Sequence, residues 1–180
     1  MAYTTIDKPT DYFNTVLYTG TGSSQNLTVG FQPDLVWIKT RTGNAHEHKL
    51  TDVIRGVGKG LASDGAGAEF TDSQGVTAFN TNGFTIGTDS YYNTNTNTYV
   101  SWNWLGGGSA SSNSDGSITS SVSANTTAGF SIVSYTGTGS NATVGHGLGA
   151  VPKMIWFKDR ETSVDWGVYA EPNGNTKEMY

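Results

Sequence analysis

The chain has 180 residues and a formal net charge of −5, and 14 % of its residues are charged whereas 12 % are aromatic. The aromatic content excludes a disordered chain, the shortage of charged residues excludes a helical bundle or coiled coil, and the acidic balance argues against a nucleic-acid binder. Because there is no cysteine, disulfides and thiolate metal sites are excluded as well. We therefore expect an all-β protein with small polar residues in its turns and aromatic residues inside.

Short runs of β-branched and aromatic residues predict a series of strands separated by Asn- and Gly-rich turns. Gly83 follows Asn80 and Asn82, which indicates a hairpin turn between two of these strands. Residues 48–61 could make one short helical turn, but their glycines favour a loop, and residues 91–98 are expected to form a polar loop. The predicted strands of the first half are residues 13–20, 26–30, 34–41, 75–82, 83–89 and 98–105.

The strand predicted over residues 98–105 alternates between two chemically different faces. One face carries Val100, Trp102 and Trp104, and the other carries one tyrosine with small polar residues. Because large apolar side chains are expected inside a domain, we assign the face with the two tryptophans to the core of the predicted sandwich.

The strongest feature of the sequence is an internal repeat. FNTVLYTGTGS at residues 13–23 returns as FSIVSYTGTGS at residues 130–140, and PDLVWIKTR at residues 33–41 returns as PKMIWFKDR at residues 152–160. Compositional bias would not reproduce a proline, a tryptophan, a lysine and an arginine in register, so we infer a duplication. We expect two tandem antiparallel β-sandwich units of the jelly-roll or lectin-like kind. The predicted domains are an N-terminal extension (1–11), a first unit (12–105), a Gly/Ser linker that is flexible by composition (106–115), and an incomplete second unit (116–180).

The second unit lacks the counterparts of two strands of the first. Nothing in it matches AFNTNGFTIG or TYVSWNW, so the equivalents of several large apolar residues are missing, namely Phe84, Ile86, Val100, Trp102 and Trp104. Each such side chain contributes about 1.5–3 kcal/mol on burial, and the total deficit, on the order of 10 kcal/mol, equals the stability of a typical domain. We expect either a continuation beyond Tyr180 or partner chains that supply these strands. Exposed strand edges also predict a homo-oligomer, which we expect to be a trimer.

Four segments of the first half, taken in chain order, are similar to a known repeated domain. MAYTTIDKPTDYFNTVLYTGTG, GFQPDLVWIKTRTG, AFNTNGFTIG and TYVSWNW resemble a repeated domain in structural proteins of tailed bacteriophages, marine ones in particular, and the second copy resembles the next unit of the same arrays. The resemblance covers residues 3–180. It implies a virion surface protein built of lectin-like β-sandwich units, a tail fibre or an accessory capsid fibre, and it brings no catalytic motif.

From this resemblance we expect a tail-fibre component with a scaffolding and host-adhesion role, without enzyme activity and without a cofactor. Its expected partners are other virion proteins, further copies of itself and a host surface glycan. Nucleic acid is not expected as a partner, and no apolar run of about 18 residues predicts membrane insertion. No secretory signal is visible, so we expect a virion protein that is assembled in the host cytoplasm and released by lysis. The alternatives are a capsid decoration or head-fibre protein and a tailspike that depolymerises host polysaccharide.

An Asn- and Thr-rich segment contains the best candidate for a carbohydrate site. Tyr91 and Tyr92 lie in it side by side, where burial of both is not expected, and Asn93 and Asn95 follow. Aromatic rings stack on sugar faces, and Asn side chains bind hydroxyl groups, so these four residues are the predicted glycan ligands. The competing interpretation is that the tyrosine pair packs against a neighbouring subunit.

Four acidic residues of a loop-rich region are candidates for catalysis or metal binding, namely Asp64, Glu69, Asp72 and Asp89. Two carboxylates held about 5–10 Å apart can hydrolyse a glycosidic bond, and the first three acids offer the hard oxygen ligands that Ca²⁺ prefers. The spacing in sequence does not fix such a distance, and it is not the spacing of an EF-hand loop. Solvated loop acids are therefore the favoured interpretation.

The histidines and the repeated arginines complete the candidates. His46 and His48 lie on one side of the chain if their segment is extended, and with a third ligand they could bind zinc or nickel, although a polar loop is the favoured interpretation. His146 is expected to cap a turn. Arg41 and Arg160 follow the repeated apolar strand, and an ion pair between either of them and a loop acid is expected to add little stability.

Overall fold

The computed structural model describes residues 6–174 and residue 177, and in this part of the chain the fold is almost entirely β-structure, as predicted. The strands are β1 (Phe13–Thr19), β2 (Gln25–Thr28), β3 (Leu35–Thr40), β4 (Lys49–Asp52), β5 (Lys59–Ala62), β6 (Phe70–Thr71), β7 (Val76–Asn80), β8 (Gly83–Ile86), β9 (Thr98–Trp104), β10 (Ser111–Asn113), β11 (Ser120–Asn125), β12 (Phe130–Ser134), β13 (Met154–Phe157) and β14 (Gly167–Ala170). The helical elements are α1 (Ser90–Asn93) and two 3-10 turns (Pro9–Asp11 and Glu171–Asn173). None of the helices in the described ranges is long and apolar enough to span a membrane.

The first unit is a sandwich of two antiparallel sheets. One sheet has six strands in the order β1-β9-β3-β4-β5-β6, and the other has three in the order β2-β8-β7. The predicted hairpin is present: β7 and β8 are joined by a turn at Thr81 and Asn82, and Gly83 begins β8 opposite Asn80. The space between the sheets is filled by one cluster of buried side chains: Leu27, Val29, Val36, Ile38, Val76, Phe84, Ile86, Tyr92 and Tyr99.

The tryptophans of β9 lie on the face of the large sheet that points away from this core. Tyr99 is fully buried on the inner face, where its ring stacks on Tyr18 with centroids 5.0 Å apart. Trp102 and Trp104 are half-buried on the opposite face, where Trp102 pairs across the ladder with Trp37. The assignment of the tryptophan face to the sandwich core is therefore wrong. Alternation separates the two faces of a strand, but it does not tell which face meets the second sheet when both carry aromatic rings.

Residues 48–61, expected to form a loop, contain strands β4 and β5 instead. Asp52 ends β4, where its side chain accepts hydrogen bonds from the backbone N–H groups of Ile54 and Arg55. Gly56 and Gly58 then adopt φ values of 88° and 71°, which glycine reaches without strain. The glycines that argued for a loop thus build the turn between two strands.

The second unit consists of a three-stranded sheet, β10-β11-β12, and a separate hairpin, β13–β14. This hairpin repeats β3–β4 of the first unit, because Phe157 pairs with Gly167 where the equivalent Ile38 pairs with Lys49. β12 repeats β1 in sequence in the same way. In the described residues the second unit forms no six-stranded sheet like that of the first.

The segment predicted as a linker is hydrogen-bonded to both units. Asp34 is fully buried, and its Oδ2 accepts hydrogen bonds from the N–H groups of Gly106 at 2.8 Å and Gly108 at 3.0 Å. Residues 111–113 of the same segment form β10, which pairs with β11. The segment predicted as a linker therefore makes hydrogen bonds to a buried carboxylate of the first unit and pairs with β11 of the second.

Candidate functional site

The segment predicted to bind carbohydrate is largely part of the core. Tyr92 is 1 % exposed and belongs to the buried cluster between the sheets, and Asn93 is fully buried. The carboxylate of Asp89 accepts a hydrogen bond from the N–H of Tyr91 and so starts helix α1, which turns Tyr92 inward. The prediction that the tyrosine pair is exposed is therefore wrong for Tyr92, and Asn93 cannot reach a ligand in solvent.

Asn93 makes a complete set of hydrogen bonds inside the protein. Its Nδ2 donates to the backbone carbonyls of Ser23 and Gly87, both at 2.7 Å. Its Oδ1 accepts from the N–H of Thr21 at 2.8 Å and from Nε2 of Gln25 at 3.1 Å. A single buried amide thus joins the β1–β2 connection to the β8–α1 connection, which is a structural role.

Tyr91 and Asn95 are the two predicted glycan ligands that remain at the surface. Tyr91 is 37 % exposed, and its ring lies 4.5 Å from the ring of His46. Nζ of Lys49 lies 4.3 Å from the centroid of the same ring and equally close to that of Phe70. Tyr91 is therefore a partly exposed ring that already contacts a histidine and a cation.

The histidines do not join the acids in a metal site. Oδ1 of Asp64 accepts a hydrogen bond from the backbone N–H of His48, while Nε2 of His48 and Oδ2 of Asp64 are 4.0 Å apart. Burial, together with the charge of Lys39, lowers the pKa of His48 although Asp64 opposes this shift. His46 lies instead against Tyr91. Among the described residues no group of three His, Asp or Glu side chains could hold a metal ion.

Each acid predicted as a possible catalytic or Ca²⁺-binding residue makes contacts with neighbouring residues of the protein. Asp72 accepts a hydrogen bond from the N–H of Gln74, and burial with the nearby charge of Asp89 raises the pKa of Asp72. Asp89 caps α1. Glu69 forms ion pairs with Arg160, at 2.8 Å, and with Arg55, at 3.5 Å. These contacts give Asp72, Asp89 and Glu69 different local roles in the structure.

The outer face of the large sheet is the surface on which the second unit docks. We call it the Trp face, and it is formed by Trp37, Trp102 and Trp104. Trp156 of β13 meets Trp37 edge-on with centroids 5.6 Å apart, and Phe130 of β12 stacks on Trp104 at 6.1 Å. Both contacting residues of the second unit occupy repeated positions, so the duplication also created its own internal interface.

Polar contacts fix the same interface at its edge. Arg160 donates to both carboxylate oxygens of Glu69, at 2.8 and 3.0 Å, and its carbonyl accepts from the N–H of Glu69. Nε1 of Trp166 donates to the carbonyl of Ala62 at 2.8 Å. Burial opposes ionisation of Glu69, but the hydrogen bonds and charges of Arg160 and Arg55 outweigh it and lower the pKa of Glu69. The bidentate geometry makes this ion pair stronger than the isolated pair expected from the sequence.

The hairpin β13–β14 leaves apolar residues uncovered. Ile155 is 42 % exposed and Phe157 is 45 % exposed, whereas their counterparts Val36 and Ile38 in the first unit are 0 % and 1 % exposed. An open second unit was expected from the sequence, because PKMIWFKDR is followed by no counterpart of AFNTNGFTIG or TYVSWNW. The motif alone did not show which side chains would be exposed.

A shallow aromatic cavity lies where the two units meet. It has a volume of about 290 Å³ and is lined chiefly by Tyr12, Phe13, Trp104 and Phe130. No titratable side chain other than Tyr12 lines it. The cavity is therefore a gap in the packing of the inter-unit contact, lined mainly by aromatic side chains.

These features define an all-β protein of two repeated units, one closed and one open. The sequence matches the model of the DUF7483 family, a domain of unknown function, over residues 8–179, and the chain belongs to this family. The matched range includes both repeats. No curated protein matches the chain, and no solved structure matches it.

Proposed function

We propose that the protein is a structural component of a tailed-bacteriophage virion, a tail-fibre subunit with a scaffolding and host-adhesion role. The resemblance of its repeats to phage structural arrays supports the origin. The observation that carries the assembly role is the open second unit, in which β13 exposes Met154, Ile155, Trp156 and Phe157 together. A contiguous apolar strand at a sheet edge is a site at which chains associate.

The architecture supports scaffolding because the first unit is closed around its core and the second leaves an apolar strand exposed. The first unit buries its apolar core between two sheets, and the second is fastened to the Trp face by aromatic contacts and by the Glu69–Arg160 ion pair. The open hairpin is therefore presented on a fixed support. Its partners are other virion proteins and further copies of the chain, in a homotrimer.

The location is tested on purified virions. We expect the chain in the peptide digest of particles purified from an infected host culture, and we expect antibodies against it to label tail fibres in electron micrographs. Labelling of the capsid would replace the tail-fibre assignment by the head-fibre alternative. Absence of the chain from particles that contain all other structural proteins would contradict the proposal.

The oligomeric state is tested by light scattering on the purified chain. We expect a mass that corresponds to a trimer over a range of micromolar concentrations. A monomer at every concentration would contradict the self-assembly part of the proposal.

Host adhesion is tested at the one predicted aromatic ligand that is exposed. Tyr91→Ala removes the ring face while Tyr92, which belongs to the core, stays in place. We expect weaker adsorption of phage that carry Tyr91→Ala, with normal particle assembly, and unchanged adsorption for Leu17→Ala as an exposed control. Equal adsorption of both variants would give Tyr91 a purely structural role. Release of reducing sugars from host glycans would instead favour the depolymerase alternative.

A further inference from the structure

We propose that the free edge of β13 is an acceptor for one strand of the β9 type, contributed by a repeat unit of another chain of this family. The inference rests on the assembly role proposed above and names the partner of that surface. The occupant is defined by its chemistry: an extended segment that alternates large aromatic residues with Ser or Asn, as TYVSWNW does in β9.

The first unit supplies the template for this pairing. There β9 lies between β1 and β3 and pairs with both, so that β3 has neighbours on both edges. In the second unit β13 is the repeated counterpart of β3, but among the described residues it pairs with β14 only. No other backbone hydrogen bond in the described chain involves residues 154–157. One edge of β13 therefore presents unpaired N–H and C=O groups.

Burial of side chains shows that β13 also lacks the covering sheet that β3 has in the first unit. Val36 and Ile38 are fully buried in the first unit because the second sheet covers the inner face of the large sheet, to which β3 and β9 belong. Ile155 and Phe157 occupy the equivalent positions and are nearly half exposed. The duplicated strand therefore keeps the apolar residues of a central strand while it stands at an edge.

The edge lacks the protection that exposed strands normally have. Lysines flank β13 on both sides, but Nζ of Lys153 pairs with Glu171 and Nζ of Lys158 donates to the carbonyls of Asp159 and Thr162. Both ammonium groups are thus held within the second unit. A lysine that points across an edge would discourage pairing, and here the four apolar residues between the lysines are left accessible, so the acceptor is four residues long.

The register of the first unit predicts which side chains the acceptor selects. Trp37 pairs with Trp102, and Ile38 pairs with Ser101. By equivalence Trp156 should face an aromatic residue of the incoming strand, and Phe157 should face a small one, because Phe157 is larger than the isoleucine that it replaces. Backbone pairing provides affinity and the alternate side chains provide specificity, as in other strand-addition complexes.

Binding is measured with a fluorescent peptide that has the sequence of residues 97–105, NTYVSWNWL, added to the intact chain. We expect saturable binding by fluorescence anisotropy, with new hydrogen-exchange protection confined to residues 154–157. Phe157→Lys in the chain should weaken binding by at least about tenfold, because a charge would be buried without a partner. Leu17→Lys is the matched control, since Leu17 is an exposed apolar residue of β1, and it should leave binding unchanged. A peptide with proline in place of Ser101 should not bind, because proline interrupts a central strand.

Several results would overturn the proposal. One is the absence of saturable binding, and another is binding that Phe157→Lys and Leu17→Lys weaken equally. Protection of residues 154–157 in the self-associated chain without peptide would assign this edge to the homotrimer contact of the proposed function, and not to a donated strand of the β9 type. Because Phe157 is exposed, Phe157→Lys should fold, and if its thermal unfolding is altered, Ile155→Lys gives the same test. The binding result is independent of where the protein sits in a virion, so its failure and the failure of the proposed function are told apart.

Discussion

At the scale of single residues, the buried amide of Asn93 shows how a polar side chain can be essential to the fold without touching a ligand. All four of its hydrogen bonds go to the protein, and two of its acceptors are backbone carbonyls in different connections. Buried polar groups with a full set of partners cost little, whereas a partner left alone costs about 1–3 kcal/mol. Substitution of Asn93 is therefore expected to lower the stability of the fold and to leave binding unchanged.

We predict that Asn93→Ala lowers the free energy of unfolding by about 1–3 kcal/mol, because it leaves the buried carbonyl of Gly87 without its partner and removes the part-buried hydrogen bonds to Ser23 and Thr21. Urea unfolding followed by tryptophan fluorescence measures the change. Asn95→Ala is the control, since Asn95 is exposed, and it should change stability by less than about 0.5 kcal/mol. Equal effects of the two substitutions would contradict the structural role.

The candidate site could be predicted only in part from residue types. The sequence placed four possible sugar ligands next to one another, but helix α1 divides them, with Tyr92 and Asn93 inside and Tyr91 and Asn95 outside. A helix of one turn is too short to leave a periodic pattern in sequence. The only sequence signal for this helix was Asp89, because Asp is favoured at the position before the first helical residue. By contrast, His146 was expected to cap a turn, and its Nδ1 does accept a hydrogen bond from the N–H of Leu148.

At the scale of elements, the β5–β6 pair depends on a glycine that makes room for an aromatic ring. Gly60 pairs with Phe70 across the two strands. A Cβ atom on Gly60 would lie 2.4 Å from Cζ of Phe70, which is closer than any real contact. A shift of the ring away from this position would also disturb its contact with Nζ of Lys49, which lies 4.3 Å from the centroid.

We predict that Gly60→Ala destabilises the protein by about 1–3 kcal/mol through overpacking against Phe70. The double variant Gly60→Ala with Phe70→Leu should recover part of this loss, because the smaller side chain leaves space for the new methyl group. Thermal unfolding of the single and double variants gives the coupling between the two positions. Additive effects would show that Gly60 and Phe70 do not conflict.

Strands with alternating or β-branched residues were predictable from the sequence, whereas strands in a glycine-containing segment were missed. β1, β2, β3, β7, β8 and β9 were predicted from their alternation and β-branched residues, with ends that differ by a few residues. β4 and β5 were missed, because Gly56, Gly58 and Gly60 made their segment look like a loop. These residues form strands because β4 pairs with β3 and β5 pairs with β4 and β6, and local composition does not carry that information.

At the scale of the whole molecule, the contact between the two units is sensitive to pH through Glu69. Its carboxylate lies between Arg160 of the second unit and Arg55 of the first. Although burial raises the pKa of Glu69, the two arginines outweigh it, so the folded-state pKa lies below the ordinary value of 4.5. The stabilisation is therefore fully present above about pH 4.5 and is lost as the pH falls through the folded-state pKa.

We predict that Glu69→Gln reduces the loss of stability on acidification below pH 4.5 and loosens the second unit at neutral pH. Urea unfolding between about pH 3 and pH 7 measures the first effect, and limited proteolysis of the second unit at pH 7 measures the other. Arg160→Gln should act in the same direction, and the double variant should add little to either single variant. An unchanged pH dependence in Glu69→Gln would show that this contact does not link the units.

The tandem organisation was predictable, but the relation between the units was not. The repeated motifs gave the duplication directly, and the register of β13–β14 repeats that of β3–β4. The docking of Trp156 on Trp37 could not be foreseen, because a tryptophan on one strand face carries no sign of what will cover it. For the same reason the Trp face was mistaken for the inside of the sandwich.

The central claim is that two strands with the same ancestry, β3 and β13, differ because one is enclosed and the other stands at an open edge. Hydrogen exchange of the 180-residue chain at neutral pH measures this directly, by comparing the backbone amides of residues 35–40 with those of residues 154–157. We predict protection of β3 close to the global stability of the first unit, and exchange of β13 amides at least about 100-fold faster. Equal protection of the two strands in a monomeric chain would contradict the account.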